Sequence, residues 1–461
     1  MLPQRKSNTK IISSTSRLSR SAKLSVAALK IAARAIYGRT RVKLLPKAKR
    51  EAQIEINRRK ASENFAQTLA GMKGLAAKLG QMASYLDESL PQETRNALAQ
   101  LQADMPAMDY EVTSQVIYEQ LGKIPSRIFS YFEEEPFAAA SIGQVHRAMT
   151  KSGVPVAVKV QYPGIEKALN ADMSNASMLF HAIGLMFPHM DPKPIVQELS
   201  VRLKEEVDYQ IEADNQRLFE TFYHSHPFIS IPLVVDELTS TKVLTTEFAE
   251  GVRFSEILSW GQEDKDWAGE VIFRFVFRSL YSLCAFNGDP HPGNYLFTKS
   301  RKVTFLDFGL VKRFTPEESF TFNEMVRTMI TDRDEEGFRK TIVGAGLLKE
   351  GANVSTEQVI EYFSTFYELV KEPKPYSVTP ELSTKLLRTV MDPSSPVAKF
   401  ATVPPAFVLI QRINLGIYAL LAQLRATANW RDIAEELWPH VSAAPKTKLG
   451  ELEQDWLSLR R

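Results

Sequence analysis

The spacing of apolar residues changes period several times along the chain, and those changes mark its organisation. From Glu51 to about Gly122 apolar residues recur at three- and four-residue intervals, which predicts helices. The run "VPVAVKVQYP", rich in Val and halted at Pro163, predicts a strand. "ISIPLVVDELTSTKVLTTEFAEG" predicts two strands joined by a polar turn, and "KPIVQELSVRLKEEVDYQIEADNQRLF" before it predicts one long helix. From about 251 the helical spacing returns and holds to the end. The pattern predicts an α+β fold in four parts: a leading segment over 1–50, a helical extension over 51–125, a small β-containing lobe over 126–250 and a helical lobe over 251–461. No internal repeat is visible.

Composition adds little to this picture, and charge adds one feature. The 461 residues are 44% hydrophobic and 24% charged, ordinary values for a globular protein. A single cysteine, Cys284, leaves no internal disulfide framework and fits a reducing compartment, so a cytoplasmic location is expected. The longest apolar runs are interrupted by Arg274, Arg278 and Arg412. None reaches the roughly 18 uncharged apolar residues of a membrane span, so no transmembrane helix is predicted. The net charge of +3 conceals an asymmetry: residues 1–50 carry 14 Lys or Arg and no acid, and the remainder is acidic. Three readings of 1–50 stay open. It is a solvated tail, a segment drawn to an anionic membrane surface at the inner face of the membrane, or an organelle transit peptide, which would place the chain in a mitochondrion or plastid. Nucleic-acid binding is not expected, because the remainder is acidic and shows no recognition motif.

The candidate chemistry lies in six short stretches. Lys159 sits in "VAVK", the strand pattern that holds the α- and β-phosphates of a nucleotide. Upstream, Ala138-Ala139-Ala140-Ser141-Ile142-Gly143-Gln144-Val145 fits the frame of a glycine-rich phosphate loop, with alanine at two glycine positions. Each added methyl should hold the backbone back from phosphate. A carboxylate to pair with Lys159 is expected on the long helix, and Glu206 is the choice over its neighbour Glu205. Asp289 and Asn294 keep a D-x-x-x-x-N spacing, with Asn287 and Gly288 before them, and Asp307 opens an Asp-Phe-Gly. Phosphoryl transfer asks for positioning and charge neutralisation. Asp289 would take or orient the proton of an attacking hydroxyl, and Asn294 and Asp307 would ligate Mg²⁺ through hard oxygens. Glu247, Phe248 and Ala249 end a β run between the lobes, where backbone groups can meet adenine. The expected cofactors are ATP or ADP with Mg²⁺.

With these parts in chain order, the sequence resembles the UbiB/AarF-type atypical protein-kinase-like family, associated with ubiquinone and isoprenoid-lipid metabolism. The matching stretches are K-x-G-Q at Lys78-Leu79-Gly80-Gln81, "AAASIGQVH", "VAVKVQYPGI", E-x-D at Glu206-Val207-Asp208, and "DPHPGN". The resemblance implies a two-lobed protein-kinase-like fold. It also implies that the K-x-G-Q helix covers the nucleotide site, making Lys78, Gly80 and Gln81 site residues; spacing alone reads them as ordinary core helix. A lipid or quinone-pathway ligand is implied as partner. Thr315-Pro316-Glu317 follows Gly309 by six residues, which leaves no long activation segment and argues against a protein substrate in trans. The expected function is an Mg²⁺-dependent ATPase or phosphotransferase supporting isoprenoid-lipid metabolism. The alternatives are a nucleotide-gated lipid-binding pseudokinase and a small-molecule kinase, since "NGDPHPGN" also resembles the loop of aminoglycoside and choline kinases.

Overall fold

The computed structural model describes residues 107–140, 142–167, 169, 201, 204–391, 395–402 and 404–460. The segment 1–50, the K-x-G-Q residues Lys78, Gly80 and Gln81, and Ser141 of the phosphate loop lie outside the described residues.

The smaller lobe is an antiparallel sheet backed by one helix. Strands β1 (Phe129–Phe132), β3 (Gly143–Thr150), β4 (Pro155–Gln161) and β6 (Val243–Glu247) pair in that order, and β2 (Ala138–Ala140) pairs with β3. Alternation along β4 decides which face is which. Val156, Val158 and Val160 are fully buried on one face, against Val116 and Ile117 of α1 (Tyr110–Leu121). Lys159 lies between them in sequence and so points to the other face, into the cleft. The stretch 107–121, grouped by sequence with the helical extension, thus packs as part of this sheet's core.

Two expectations about this lobe change. The run 193–219 is not one uninterrupted helix: Asp208 is extended and caps a new helix, α2 (Tyr209–Phe222), through its side chain, which accepts from Gln210 N. The strands around 229 and 243 form the expected hairpin only in part: Leu233–Val235 lies antiparallel to Thr245–Glu247 across the polar turn, with Val235 N donating to Thr245 O and Glu247 N to Leu233 O. The short β5 (Ile229–Ser230) pairs parallel with β10 (Val303–Phe305) in a second sheet, whereas β6 pairs with β4. Pro232, which has no N–H to give a ladder, and a 3-10 turn at Asp236–Leu238 separate them.

The larger lobe is helical, with small strands at its upper edge. Its core is organised on α3 (Gln262–Arg278), whose Val271, Ile272, Phe273 and Phe275 are buried. Around it stand α4 (Pro316–Val326), α5 (Glu335–Gly344), α6 (Thr356–Ser364), α7 (Pro380–Met391), α8 (Pro405–Leu424), α9 (Trp430–Glu435) and α10 (Lys448–Ser458). Strand β7 (Val252–Arg253) pairs with β9 (Tyr295–Phe297), β9 with β10, and β8 (Ala285–Asn287) with β11 (Val311–Arg313). Among the described residues, no helix is long and apolar enough to cross a membrane.

Candidate active site

The two small β-pairs bring the site together. The turn from β8 to β9 carries Asp289 and Asn294, and the turn from β10 to β11 carries Asp307. Because Tyr295 pairs with Phe305 and Asn287 pairs with Val311, both ends of each turn are clamped to both ends of the other. Residues eighteen apart in sequence therefore share one site, as the D-x-x-x-x-N and Asp-Phe-Gly pattern requires.

Hydrogen bonds then fix each side chain. Asn294 Nδ2 donates to Asp289 Oδ2 at 3.2 Å and to its carbonyl at 3.1 Å. Asp289 is 5% exposed. Asp307 Oδ1 accepts from Gly309 N at 2.9 Å, while Oδ2 lies 3.9 Å from Lys159 Nζ. The His291 ring caps the 3-10 turn Pro292–Asn294 by accepting from Gly293 N, the role of a turn residue.

The partner of Lys159 corrects the sequence reading. Lys159 Nζ lies 2.8 Å from both carboxylate oxygens of Glu212, not on Glu206. The cause is the break at Asp208, which restarts helical phase. Glu206 ends the preceding turn, and Glu212 lies in the first turn of α2, on the inward stripe with Asn215, Gln216 and Phe219. Tyr209 N donates to Thr241 O at 2.9 Å and pins the start of that helix to the sheet. Burial raises the Glu212 carboxyl to about 7, against the opposing pull of Lys159. Burial also works against the Lys159 ammonium, but Glu212 and Asp307 outweigh it and hold its pKa well above the usual lysine value.

Two further residues organise the site without a motif to announce them. Asn287 Nδ2 donates to the Asp307 carbonyl at 2.5 Å, and its Oδ1 accepts from Asp289 N at 3.1 Å, so one amide joins the two turns. Asn215 of α2 donates to the Phe308 carbonyl at 3.2 Å. Phe308 is fully buried against Phe219, with centroids 5.0 Å apart, so the Asp-Phe-Gly turn is seated on the same helix that supplies Glu212. The inward spacing 209, 212, 216, 219 was the available signal for Glu212. Asn287 carried none beyond its place before Gly288-Asp289.

The phosphate-loop residues divide into two groups. Ala138, Ala139 and Ala140 pair with Val145, Gln144 and Gly143 as a tight hairpin over the cleft, and Val145 pairs with Lys159. Ile142 and the Gln144 side chain turn inward instead. Gln144 Oε1 accepts from Met108 N at 2.7 Å, and its Nε2 contacts Thr113 Oγ1 and His146 Nε2. Its side chain therefore ties the loop to the start of α1 and is unavailable to a nucleotide, a correction to its expected binding role. At the inter-lobe link, Glu247 N donates to Leu233 O and Phe248 N to Pro155 O. Among the described residues, Ala249 N makes no such bond, so of the three N–H groups it is the one open to a base.

After Gly309 the chain runs through β11 directly into α4. Thr315 and Glu318 form a reciprocal capping box at its start, so the segment after the Asp-Phe-Gly is as short as the sequence suggests.

Residues 100–342 match the ABC1 atypical kinase-like domain. The rat mitochondrial atypical kinase COQ8B is 34% identical over 281 residues, covering 59% of this chain and 52% of the rat protein. The yeast mitochondrial atypical kinase COQ8 is 31% identical over 279 residues, 60% of this chain and 56% of that protein. The chain thus spans about half the length of these curated relatives. A Mycobacterium tuberculosis protein, Rv3197, solved as a complex with erythromycin, superposes with a TM-score of 0.61 at 30% identity, covering 85% of this chain and 98% of that one.

Proposed function

The chain belongs to the ABC1 atypical kinase-like family, and from that premise we propose that it binds an adenine nucleotide with Mg²⁺ and turns it over. Turnover is slow hydrolysis or phosphoryl transfer to a small or lipid hydroxyl, in support of isoprenoid-quinone metabolism. The observation that carries this reading is the Lys159–Glu212 pair standing 3.9 Å from Asp307 in one cleft with Asp289 and Asn294.

The donor set fits the expected metal. Asn294 spends its amide nitrogen on Asp289, which leaves its Oδ1 as a hard oxygen ligand, and the Asp307 carboxylate is the second protein ligand. Mg²⁺ commonly takes few protein oxygens. When bound, it supplies neutralisation of phosphate charge. Lys159, held cationic by Glu212, orients phosphate oxygens. Asp289, fixed by Asn294 and Asn287, orients the attacking hydroxyl and accepts its proton. Ala249 N–H meets the base. The short connection from Gly309 to α4 supports a non-protein acceptor, because no extended platform for a peptide lies there. For the location of the protein, the mitochondrial names of two relatives favour the organelle reading over the cytoplasmic one.

Asp307→Asn tests the reading, since it removes one charge and keeps size. Wild type should gain about 3 kcal/mol of stability from nucleotide at a hundredfold excess over Kd, in the presence of Mg²⁺. The variant should lose most of that gain. Equal stabilisation with and without Mg²⁺ in both proteins would overturn the assignment.

A further inference from the structure

The helical lobe contains an apolar cavity of about 120 Å³ that shares no residue with the nucleotide cleft. Its walls are carbon-rich and largely aromatic, with Phe273 and Phe277 from α3, Phe322 from α4 and Trp438 after α9 among them. Of the tyrosines at the wall, Tyr418 directs its hydroxyl to protein, donating to Phe366 O at 2.9 Å. A water molecule needs two to four polar partners, whereas an apolar void of about 150 Å³ stays dry and accepts benzene. The chemistry of this wall therefore suits hydrocarbon and not water.

Two observations set the cavity apart from a packing fault. Helix α3 widens into a π-turn at Ser279–Leu283, whose Leu280 and Tyr281 line the cavity. Helix α4, which contributes Met325 and Val326, widens into a second π-turn at Arg327–Thr331. Such turns are rare and recur at functional sites. The second observation is access. Phe277, Tyr281, Phe366 and Tyr367 are only partly buried, so the cavity reaches the surface along one side.

We propose that this cavity is a ligand site for a neutral hydrocarbon group the size of one six-membered ring or one branched five-carbon unit. The site stands independently of the nucleotide reading. Toluene and 2-methyl-2-butene are the probes for its two sources, each added to the full-length protein while its melting temperature is followed. A saturable rise on the order of 2 °C or more with either probe is expected, and the probe with the lower half-saturation identifies the ring or the branched chain. Ala434→Phe and the milder Ala434→Leu fill the cavity from α9 and should abolish the response while keeping the nucleotide-induced rise. A wild-type response that is absent or fails to saturate overturns the proposal, and so does an equal response in a folded filled variant. Retention of the nucleotide response in each case separates this result from any failure of the nucleotide assignment.

Discussion

At the scale of single residues, the pairing of Lys159 with Glu212 governs the electrostatics of the cleft. Both groups are removed from water, so each depends on the other: truncating one partner of a buried pair leaves an uncompensated charge. Glu212 has a folded pKa of about 7, above its ordinary 4.5, so it binds protons in the folded state that it would release on unfolding. Its stabilising share is full at low pH and is lost as pH rises through the folded value. Lys159→Met removes the main influence lowering that pKa and pushes it higher still. Between about 7 and the new value, wild type is already ionised while the variant is still protonated, so only the variant continues to lose stability. The stability deficit of Lys159→Met, measured by urea unfolding, should widen from pH 7 to pH 9. Adding Glu212→Gln should remove this widening, and adding Glu206→Gln should leave it. The opposite outcome would return Glu206 to the pair.

At the scale of elements, the β2–β3 hairpin depends on one glycine. A Cβ at Gly143 would overlap the Val160 carbonyl and lie 2.7 Å from the Tyr209 hydroxyl. Both obstacles are fixed, one by the β4 ladder and the other by the start of α2, so neither can move aside cheaply. Gly143 thus sits where the hairpin, the lysine strand and the helix of Glu212 come together. Gly143→Ala should cost on the order of 1–3 kcal/mol through overpacking. Because the clash bears on both β4 and α2, it should also weaken nucleotide binding. A variant with wild-type stability and nucleotide response would mean that these three elements are not held in register through this residue. The alanines at 138–140 meet no such restriction in the hairpin, where they pair regularly with β3.

At the scale of the whole molecule, the C-terminal helix is fastened to the centre of the larger lobe by buried charge. Glu453 of α10 accepts from Arg274 Nη1 at 2.9 Å and from Arg278 Nη2 at 3.0 Å, and it is 1% exposed. Arg274 also bonds Glu270 and Glu436. Phe228 N and Ile229 N donate to His226 Nδ1, so the ring carries its proton on Nε2, which faces Glu453. Burial opposes the charge on Glu453, but His226, Arg278 and Arg274 outweigh it and hold its pKa below the usual carboxylate range. The same network reaches α3, whose π-turn leads into β8 and the turn that carries Asp289 and Asn294. Glu453→Ala should cost on the order of 3–5 kcal/mol, because it strands two buried arginines. Hydrogen exchange should show α10 losing protection first. A loss under about 1 kcal/mol would mean the network is no more than a solvated surface cluster.

The sequence by itself determined the local chemistry: the valine-rich lysine strand, the spacing of Asp289, Asn294 and Asp307, the short link after Gly309, and the order of a small β-lobe before a helical one. These are legible because strand alternation and motif spacing are properties of neighbours along the chain. Only the tertiary structure decided which carboxylate meets Lys159. A single cap at Asp208 resets helical phase, and the partly buried Glu206 and the inward Glu212 of one apparent helical run differ only by what packs against them. Only it showed Gln144 turned away from the cleft, and β5 and β6 assigned to different sheets, since strand pairing depends on partners far away in sequence. The joining role of Asn287 and the cavity between α3, α4 and α9 belong to the same class. Each is made by residues that the chain keeps far apart, and packing alone brings them together.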